Sequence, residues 1–403
     1  MNSDDLAGFR TDWKRFLRRF DSCESDRVTR DYFRIYMEGL ISELPRKNAE
    51  TIALAAGVPV RSVQWFLSTM DWDHQRMRNK LQKMVAKEHA GRHSVGVIDE
   101  TSFVKKGTKT PGVQHQYCGH VGKQENCVVT VHLTYAVGEF HTLIDQDLFL
   151  PESWSGDRER CRVAGIPDDV VYRPKWEMAL EQVDRATQNG VVFEYLTFDE
   201  GYGDIPEFLR QLDTRNQMFI GEVRNKFYGW TKLPRSVPTS KKQGRKRSAK
   251  RKWKTIPVKN MLTHSPCLRD QPWVPYYIKE RGTGPVIWEV KHTAIHIREE
   301  RRGAPLAKPF RLIVARNVMN EDEEEIKYFV SNAPAETSLD DLLLAAFTRW
   351  RVERSFQDTK QKLGLGHYEG RNYTGLIRHL LLCSLSYYFL QEQVQKLSKK
   401  TRK

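Results

Sequence analysis

No stretch of this chain approaches the about 18 consecutive apolar residues that a membrane-crossing helix needs. The opening MNSDDLAGFR also lacks the apolar segment of a secretory leader, so a cytoplasmic protein is the expectation. Cysteine is sparse: six thiols, at 23, 118, 127, 161, 267 and 383, with no C-x-x-C pair. That spacing excludes a disulfide framework as the organising principle and points to reduced, mostly buried thiols. Cys118, His120, Cys127 and His132 could be grouped as a zinc set, but their surroundings read as two strands and not as a zinc knuckle. Acidic residues are in short supply relative to basic ones. Against 66 Lys and Arg stand 51 Asp and Glu, a net charge of +15. A surplus of that size implies a polyanionic partner, of which nucleic acid is the commonest. No lipidation motif or basic amphipathic anchor directs the charge to a membrane instead.

Residues 1–90 read as helical. DYFRIYMEGLIS carries apolar residues at helical spacing, and AETIALAAGVPVRSVQWFLSTMDWD follows. In the latter Ala53, Gly57 and Val63 stand four and six apart. This is helix-turn-helix spacing: a small residue where two helices touch, a glycine in the turn, an apolar anchor on the second helix. A plain helical hairpin has the same pattern; in a basic chain the DNA-reading form gains weight. Arg61 and Gln64 on the second helix are the candidates for base contacts.

From residue 91 strands take over. HSVGVIDE, ENCVVTVHLTYAV and GEFHTLIDQDLFL follow in close succession, then a helix at PKWEMALEQVDRATQNG and the apolar strand VVFEYLTFD. GYGDIPEFLRQLD turns through glycines into another helix. The order predicts an α/β fold, a mixed sheet flanked by helices. Residues 216–334 break the rhythm as a β-rich insertion. Within it lies KKQGRKRSAKRKWK, residues 241–254, with nine of fourteen positions Lys or Arg. That run is either a solvated loop or a contact to phosphates, with Lys246, Arg247, Lys250 and Arg251 as its candidates. Helices resume over 335–403. The expected domains are thus 1–90, a catalytic core over 91–215 and 335–403, and the insertion 216–334.

Three carboxylates stand out by position. Asp99 lies at the end of one strand, Asp199 at the end of another, and Glu353 within RWRVERSFQDTK, a segment of helical pattern. Each alone reads as a turn residue or cap; open α/β sheets, however, place their active sites at strand ends. Together the three describe an oxygen-only chelator for hard divalent cations. Two such ions can hold both the attacking and the leaving oxygen of a phosphoryl displacement. On the helix, Arg349, Glu353 and Lys360 fall on one stripe, which a salt-bridged solvent face would also explain.

At these residues the chain resembles the DDE transposases of bacterial insertion sequences, in the branch of insertion sequence 701, related to the insertion sequence 4 group. The resemblance runs through ELPRKNAETIALAAGV, VIDETSFVKKG, QYCGHVGKQENCVVTVHL, LTFDEGYG and RWRVERSFQDTKQKLGLGHYEGR. The last block is similar to the signature Y-x2-R-x3-E-x6-K: Arg349, Glu353 and Lys360 match, while Ala346 stands where the tyrosine would be. The resemblance implies an RNase H-like core interrupted by a β-rich insertion between the second and third acids. It implies two Mg2+ ions, with Mn2+ able to substitute, bound by Asp99, Asp199 and Glu353. It implies double-stranded DNA as partner, both terminal inverted repeats and target, and a homodimer pairing two ends in a nucleoid-associated complex. Arg349, Lys360, and Lys105 and Lys106 beside the first block, join the residues expected to face DNA. A catalytically inactive DNA-binding regulator and a metal-dependent nuclease without joining activity are the alternative readings.

Overall fold

Along the helix Arg27–Ile41, Phe33, Tyr36, Met37 and Leu40 recur at intervals of three and four, and all are buried. Asp26 starts that helix by accepting from the Thr29 amide at 2.8 Å. It is the second of five helices that open the chain in the computed structural model: α1 Ser3–Arg18, α2 Arg27–Ile41, α3 Ala49–Ala56, α4 Val60–Ser68 and α5 His74–Glu88. The structure describes residues 3–119, 121–234, 255–281, 284–299, 304–319 and 325–401. It divides into two compact units, residues 1–194 with 349–403, and residues 195–348. The basic run 241–254, and with it Lys246, Arg247, Lys250 and Arg251, lies outside the described residues. Among the described residues no helix is long and apolar enough to cross a membrane.

The helix-turn-helix spacing is realised in α3 and α4. Asn48 and Thr51 form a reciprocal capping box at the start of α3. Gly57 ends the helix at φ +66°, where a side chain would be strained, and returns its N–H to the Ala53 and Leu54 carbonyls. Ala53 and Val63 are fully buried at the contact.

In the first unit the helices are followed by β1 Val95–Val104, β2 Gln114–Cys118, β3 Lys123–Val137 and β4 Phe140–Leu148. The long β3 pairs antiparallel with β1, β2 and β4. Short helices α6 Glu152–Ser155 and α7 Arg158–Val163 lead to α8 Lys175–Gln188, which packs on β3 and β4.

The second unit begins with β5 Tyr195–Phe198, the short helix α9 Glu200–Gly203, α10 Pro206–Thr214 and β6 Phe219–Val223, which lies parallel to β5. A two-residue ladder joins β7 Tyr228–Gly229 to β8 Ile256–Pro257, and α11 Val258–His264 and α12 Pro266–Arg269 follow. The remaining strands are β9 Val274–Arg281, β10 Gly284–Ile295, β11 Phe310–Asn317 and β12 Ile326–Ser331, closed by α13 Leu339–Phe347. β12 pairs antiparallel with β6, β11 with β12, and β10 with both β11 and β9. The strand-rich segment therefore continues the β5–β6 sheet. The boundary expected at 216 falls inside it, because a ladder of backbone hydrogen bonds joins β6 to strands more than 100 residues later.

Two helices return to the first unit, α14 Trp350–Leu363 and α15 Tyr373–Thr401. α15 packs against α2, α4, α5, α14 and β4. α1, α2, α4 and α5 of the N-terminal segment share that core with α15. Arg378 of α15, only 6% exposed, donates to the carbonyls of Phe66 and Leu67 in α4 and of Met70 and Trp72 beyond it, at 2.9–3.4 Å. Its guanidinium lies 4.3 Å from the Trp72 ring centre. One buried cation thus fills the role of a C-terminal cap for α4. The α/β class holds, with an antiparallel sheet and helices in the first unit and a mixed sheet with helices in the second.

Candidate active site

Asp99 and Glu100 are neighbours on β1 and so point to opposite faces of the sheet. The structure gives them different partners. Glu100 meets the Lys175 ammonium of α8 at 2.6 Å. Asp99 meets the Arg349 guanidinium at the start of α14, at 3.7 Å, and also accepts from the Glu100 amide at 2.7 Å. α14 lies along that face. Phe356 packs edge-on to His132, 5.1 Å between ring centres, and His132 is the cross-strand partner of Asp99. Further along, the Lys360 ammonium sits 5.5 Å from the Phe103 ring centre. Burial of Val352, Ser355, Phe356, Thr359 and Leu363 fixes the rotation of the helix. Ser355 shares a hydrogen bond with the His141 ring at 2.9 Å.

Glu353 lies on the stripe between Arg349 and Phe356, one turn beyond the residue that meets Asp99. It is exposed, and among the described residues its carboxylate has no ion-pair partner. The salt-bridged solvent face that the sequence also allowed exists, but on another stripe. There Asp358 is paired with Arg354 at 3.5 Å and with Lys362 at 2.8 Å. The two acids of α14 are thereby distinguished: Asp358 is neutralised by its own helix and Glu353 is not.

Asp199 belongs to the second unit. It follows the fully buried β5 and caps α9, its Oδ1 accepting from the Gly201 amide at 2.9 Å. The second glycine of DEGYG has a packing reason. A Cβ on Gly203 would meet the Glu222 carbonyl of β6 at 1.9 Å, so only glycine lets α9 lie this close to the sheet. The half-buried Asp199 is therefore presented at a strand end by a short turn with no freedom to swell.

Residues 19–284 match the family model described as a DDE superfamily endonuclease. That span includes Asp99 and Asp199 and covers well over half of the chain. The chain belongs to the DDE endonuclease superfamily. It is also similar to a probable transposase for insertion sequence element IS701 from Microchaete diplosiphon, 30% identical over 200 residues. That match covers 49% of this chain and 49% of the relative, so the chain spans about half the length of the curated protein it matches.

The other residues expected to act in this DDE protein fall into distinct settings. Arg61 and Gln64 are exposed on α4 and line a groove together with Trp65, which is 55% exposed. Lys106 is exposed, but Lys105 is not available as expected. Its ammonium donates to the Gly366 and Tyr368 carbonyls at 3.0 and 2.6 Å, and burial pushes its pKa down to about 8. Lys360 is half-buried and its pKa is lowered by desolvation, against the opposing pull of Cys118 and Asp99. His132, singled out in the sequence only as a member of the zinc set, has a fully buried ring kept neutral by desolvation, its pKa down to about 3. Strand alternation alone would have placed it opposite an acid of β1, had the register been known.

Among the described residues, Cys118, Cys127 and His132 are not gathered as possible metal ligands. Cys118 and Cys127 pack with Val129 in a small apolar cluster, and His132 bonds Thr130 at 2.7 Å. His120 lies outside the described residues. Among the described residues, Glu88, His89 and Glu392 bring possible ligand atoms within 4.8 Å of one another. That group is already occupied by the protein: Glu88 is paired with Arg19 and takes the Tyr388 hydroxyl at 2.9 Å, while His89 stacks on Phe140 at 3.6 Å.

Proposed function

We propose that this DDE protein is an insertion-sequence transposase, which binds terminal inverted repeats and carries out metal-dependent cleavage and joining of DNA strands. The observation that supports it most is on α14. A guanidinium one turn before an unpaired Glu353 lies against Asp99, while the neighbouring Asp358 is neutralised within its own helix. In this reading Asp99, Asp199 and Glu353 hold two Mg2+ ions, for which Mn2+ substitutes.

The donors fit such ions. All three are carboxylates, the ligand type hard divalent cations take, and Asp99 already attracts a cation in the form of Arg349. When bound, the pair of ions would activate the attacking oxygen, first of water and then of a DNA 3′-hydroxyl, and stabilise the leaving one. The protein's own part is to orient. Phe356 against His132 and Ser355 against His141 hold α14 in place, and the Gly203–Glu222 contact holds the turn that carries Asp199. Arg349 and Lys360 balance the charge of the acids and of the incoming phosphates. α4 offers Arg61 and Gln64 to base edges, Lys106 adds a backbone contact, and a homodimer pairs two ends.

The test uses labelled inverted-repeat DNA and a target plasmid with the full-length protein. Asp99→Ala, Asp199→Ala and Glu353→Ala should each lose cleavage by several orders of magnitude and keep binding to the repeat. Asp358→Ala and Glu100→Gln should continue to cut. If Glu353→Ala cuts normally and Asp358→Ala does not, the wrong acid of α14 has been assigned. Cutting without any joined product would reduce the function to that of a nuclease, and binding without cutting to that of a regulator.

A further inference from the structure

Several exposed cations of this protein have an acid beside them. On α2, Arg27 and Arg34 pair with Asp31 and Asp21; on α7, Arg162 pairs with Glu159. The outward side of α5 is different. Arg76, Lys80, Lys83 and Lys87 follow at intervals of four, three and four, which puts them on one stripe roughly 16 Å long. Among the described residues no carboxylate forms an ion pair with any of them; Lys80 meets only the Ser22 hydroxyl, at 3.3 Å. A helix face that is merely solvated normally mixes signs to gain i,i+4 pairs, and four cations without an acid repel one another. Beside Arg76, Lys80 and Lys83 runs a groove of about 420 Å3, to which Ser22, Gln75 and Asn79 add uncharged donors and Asp73 one carboxylate, held as the N-cap of α5 by the Arg76 amide at 2.8 Å.

The opposite side of α5 is held firmly. Met77, Leu81, Met84 and Val85 are buried. Gln82 donates to the Ile144 carbonyl and to Asp145 at 3.1 and 3.0 Å, and Arg78 lies 3.9 Å from Asp145. Asp145 is in turn bound by Arg185 of α8 at 3.0 and 3.1 Å. The stripe is thus mounted on a helix that cannot easily rotate or withdraw. Its charge would be presented in a fixed row.

We infer that the α5 stripe is a second DNA-contacting surface, one that follows the sugar–phosphate backbone of duplex DNA and does not read bases. This rests on the proposed action on DNA. The row covers the axial length of about five phosphates of one strand, given one phosphate per 3.4 Å. Lysine and arginine without partners, with amide and hydroxyl donors between them, are the groups that contact phosphate oxygens.

The test is a quadruple variant, Arg76→Gln, Lys80→Gln, Lys83→Gln and Lys87→Gln, in the full chain, glutamine being a good helix former. Affinity for an inverted-repeat duplex and for a random duplex of equal length is measured from 50 to 200 mM KCl. Loss of four phosphate contacts should flatten the log–log salt slope by about 3.6, so the wild type would lose roughly 150-fold more affinity than the variant over that range. The ratio of specific to random binding should stay the same. A charge-matched control, Arg162→Gln, Arg269→Gln, Lys308→Gln and Lys396→Gln, removes cations that do have acidic partners and should keep the wild-type slope. If the quadruple variant has lost its unfolding transition, Lys83→Gln with Lys87→Gln should give half the change. A variant with the wild-type slope overturns the inference and leaves the transposase reading standing. A wild-type protein that binds repeats no better than random DNA undermines that reading, while the slope still reports on the stripe.

Discussion

Replacing Arg378 by alanine removes the charged side chain that caps the end of α4. The carbonyls of Phe66, Leu67, Met70 and Trp72 would each lose a charged donor, two of them bonded at 2.9 Å, while Phe66 keeps the Trp72 indole N–H and Trp72 the His74 amide. A hydrogen bond to a charged group contributes about 1.5–3 kcal/mol, so the two shorter bonds alone amount to about 3–6 kcal/mol. Against this stands the cost of keeping a guanidinium buried, which lowers its pKa to about 10 and is relieved on truncation. A net loss of about 3 kcal/mol follows, with a fall in Tm of roughly 6–12 °C for a unit of this size. Urea unfolding followed by tryptophan fluorescence measures it. Arg378→Lys should recover less than half, since one ammonium cannot reach all four carbonyls. Because α4 carries Arg61 and Gln64, the alanine variant should also lose preference for repeat DNA before it loses binding to random duplex. Stability within 1 kcal/mol of the wild type would refute the view that this cation holds the helix.

Glu24 is 7% exposed, its carboxylate oxygens have no hydrogen-bond partner, and desolvation with a push from Asp21 raises its pKa to about 7. A raised carboxyl pKa favours the fold below the unfolded value of 4.5, and that advantage is lost as pH climbs from there through 7. Glu24→Gln should therefore match the wild type in urea at pH 4.5 and exceed it at pH 8 by about 2 kcal/mol, after allowance for solvent screening of a shift equivalent to about 3. In the second unit, Gly203→Ala forces a methyl against the Glu222 carbonyl, and overpacking of that kind costs about 1–3 kcal/mol. It should lower the unfolding midpoint and, by moving the turn that carries Asp199, reduce DNA cleavage more than DNA binding.

The parts of this molecule that could be read from its sequence are those whose signals are local. The Ala53–Gly57–Val63 spacing is short-range, and it became the α3–α4 hairpin. The order of strands and helices gave the α/β class. What escaped depends on partners far away in the chain. Lys105 and Lys106 look alike in sequence, and only the 364–368 segment decides that the first is buried. Arg378 sits in a run of leucines that reads as an apolar helix, with nothing to show that carbonyls some 300 residues earlier need its charge. The expected boundaries at 90 and 216 rest on local patterns alone, whereas α15 and β12 bring neighbours to these segments from far along the chain. On α14 four cations and two acids permitted several pairings, and helix rotation chose among them.

The first unit is interrupted in sequence: it stops at 194 and resumes at 349. The helices α1, α2, α4 and α5 have their apolar sides completed by α15, which is made some 300 residues later. Tyr36 finds His379 across 343 residues. At a synthesis rate of about 5–20 residues per second, some 15–60 s separate the emergence of these partners from the ribosome. Throughout that time Phe33, Tyr36, Met37 and Phe66 lack their cover, and contacts of such long range form slowly even afterwards. Newly made chains would thus pass through a long unprotected stage. They would be clients for chaperones, and premature stop codons anywhere before α15 would yield aggregating fragments and not miniature DNA-binding proteins.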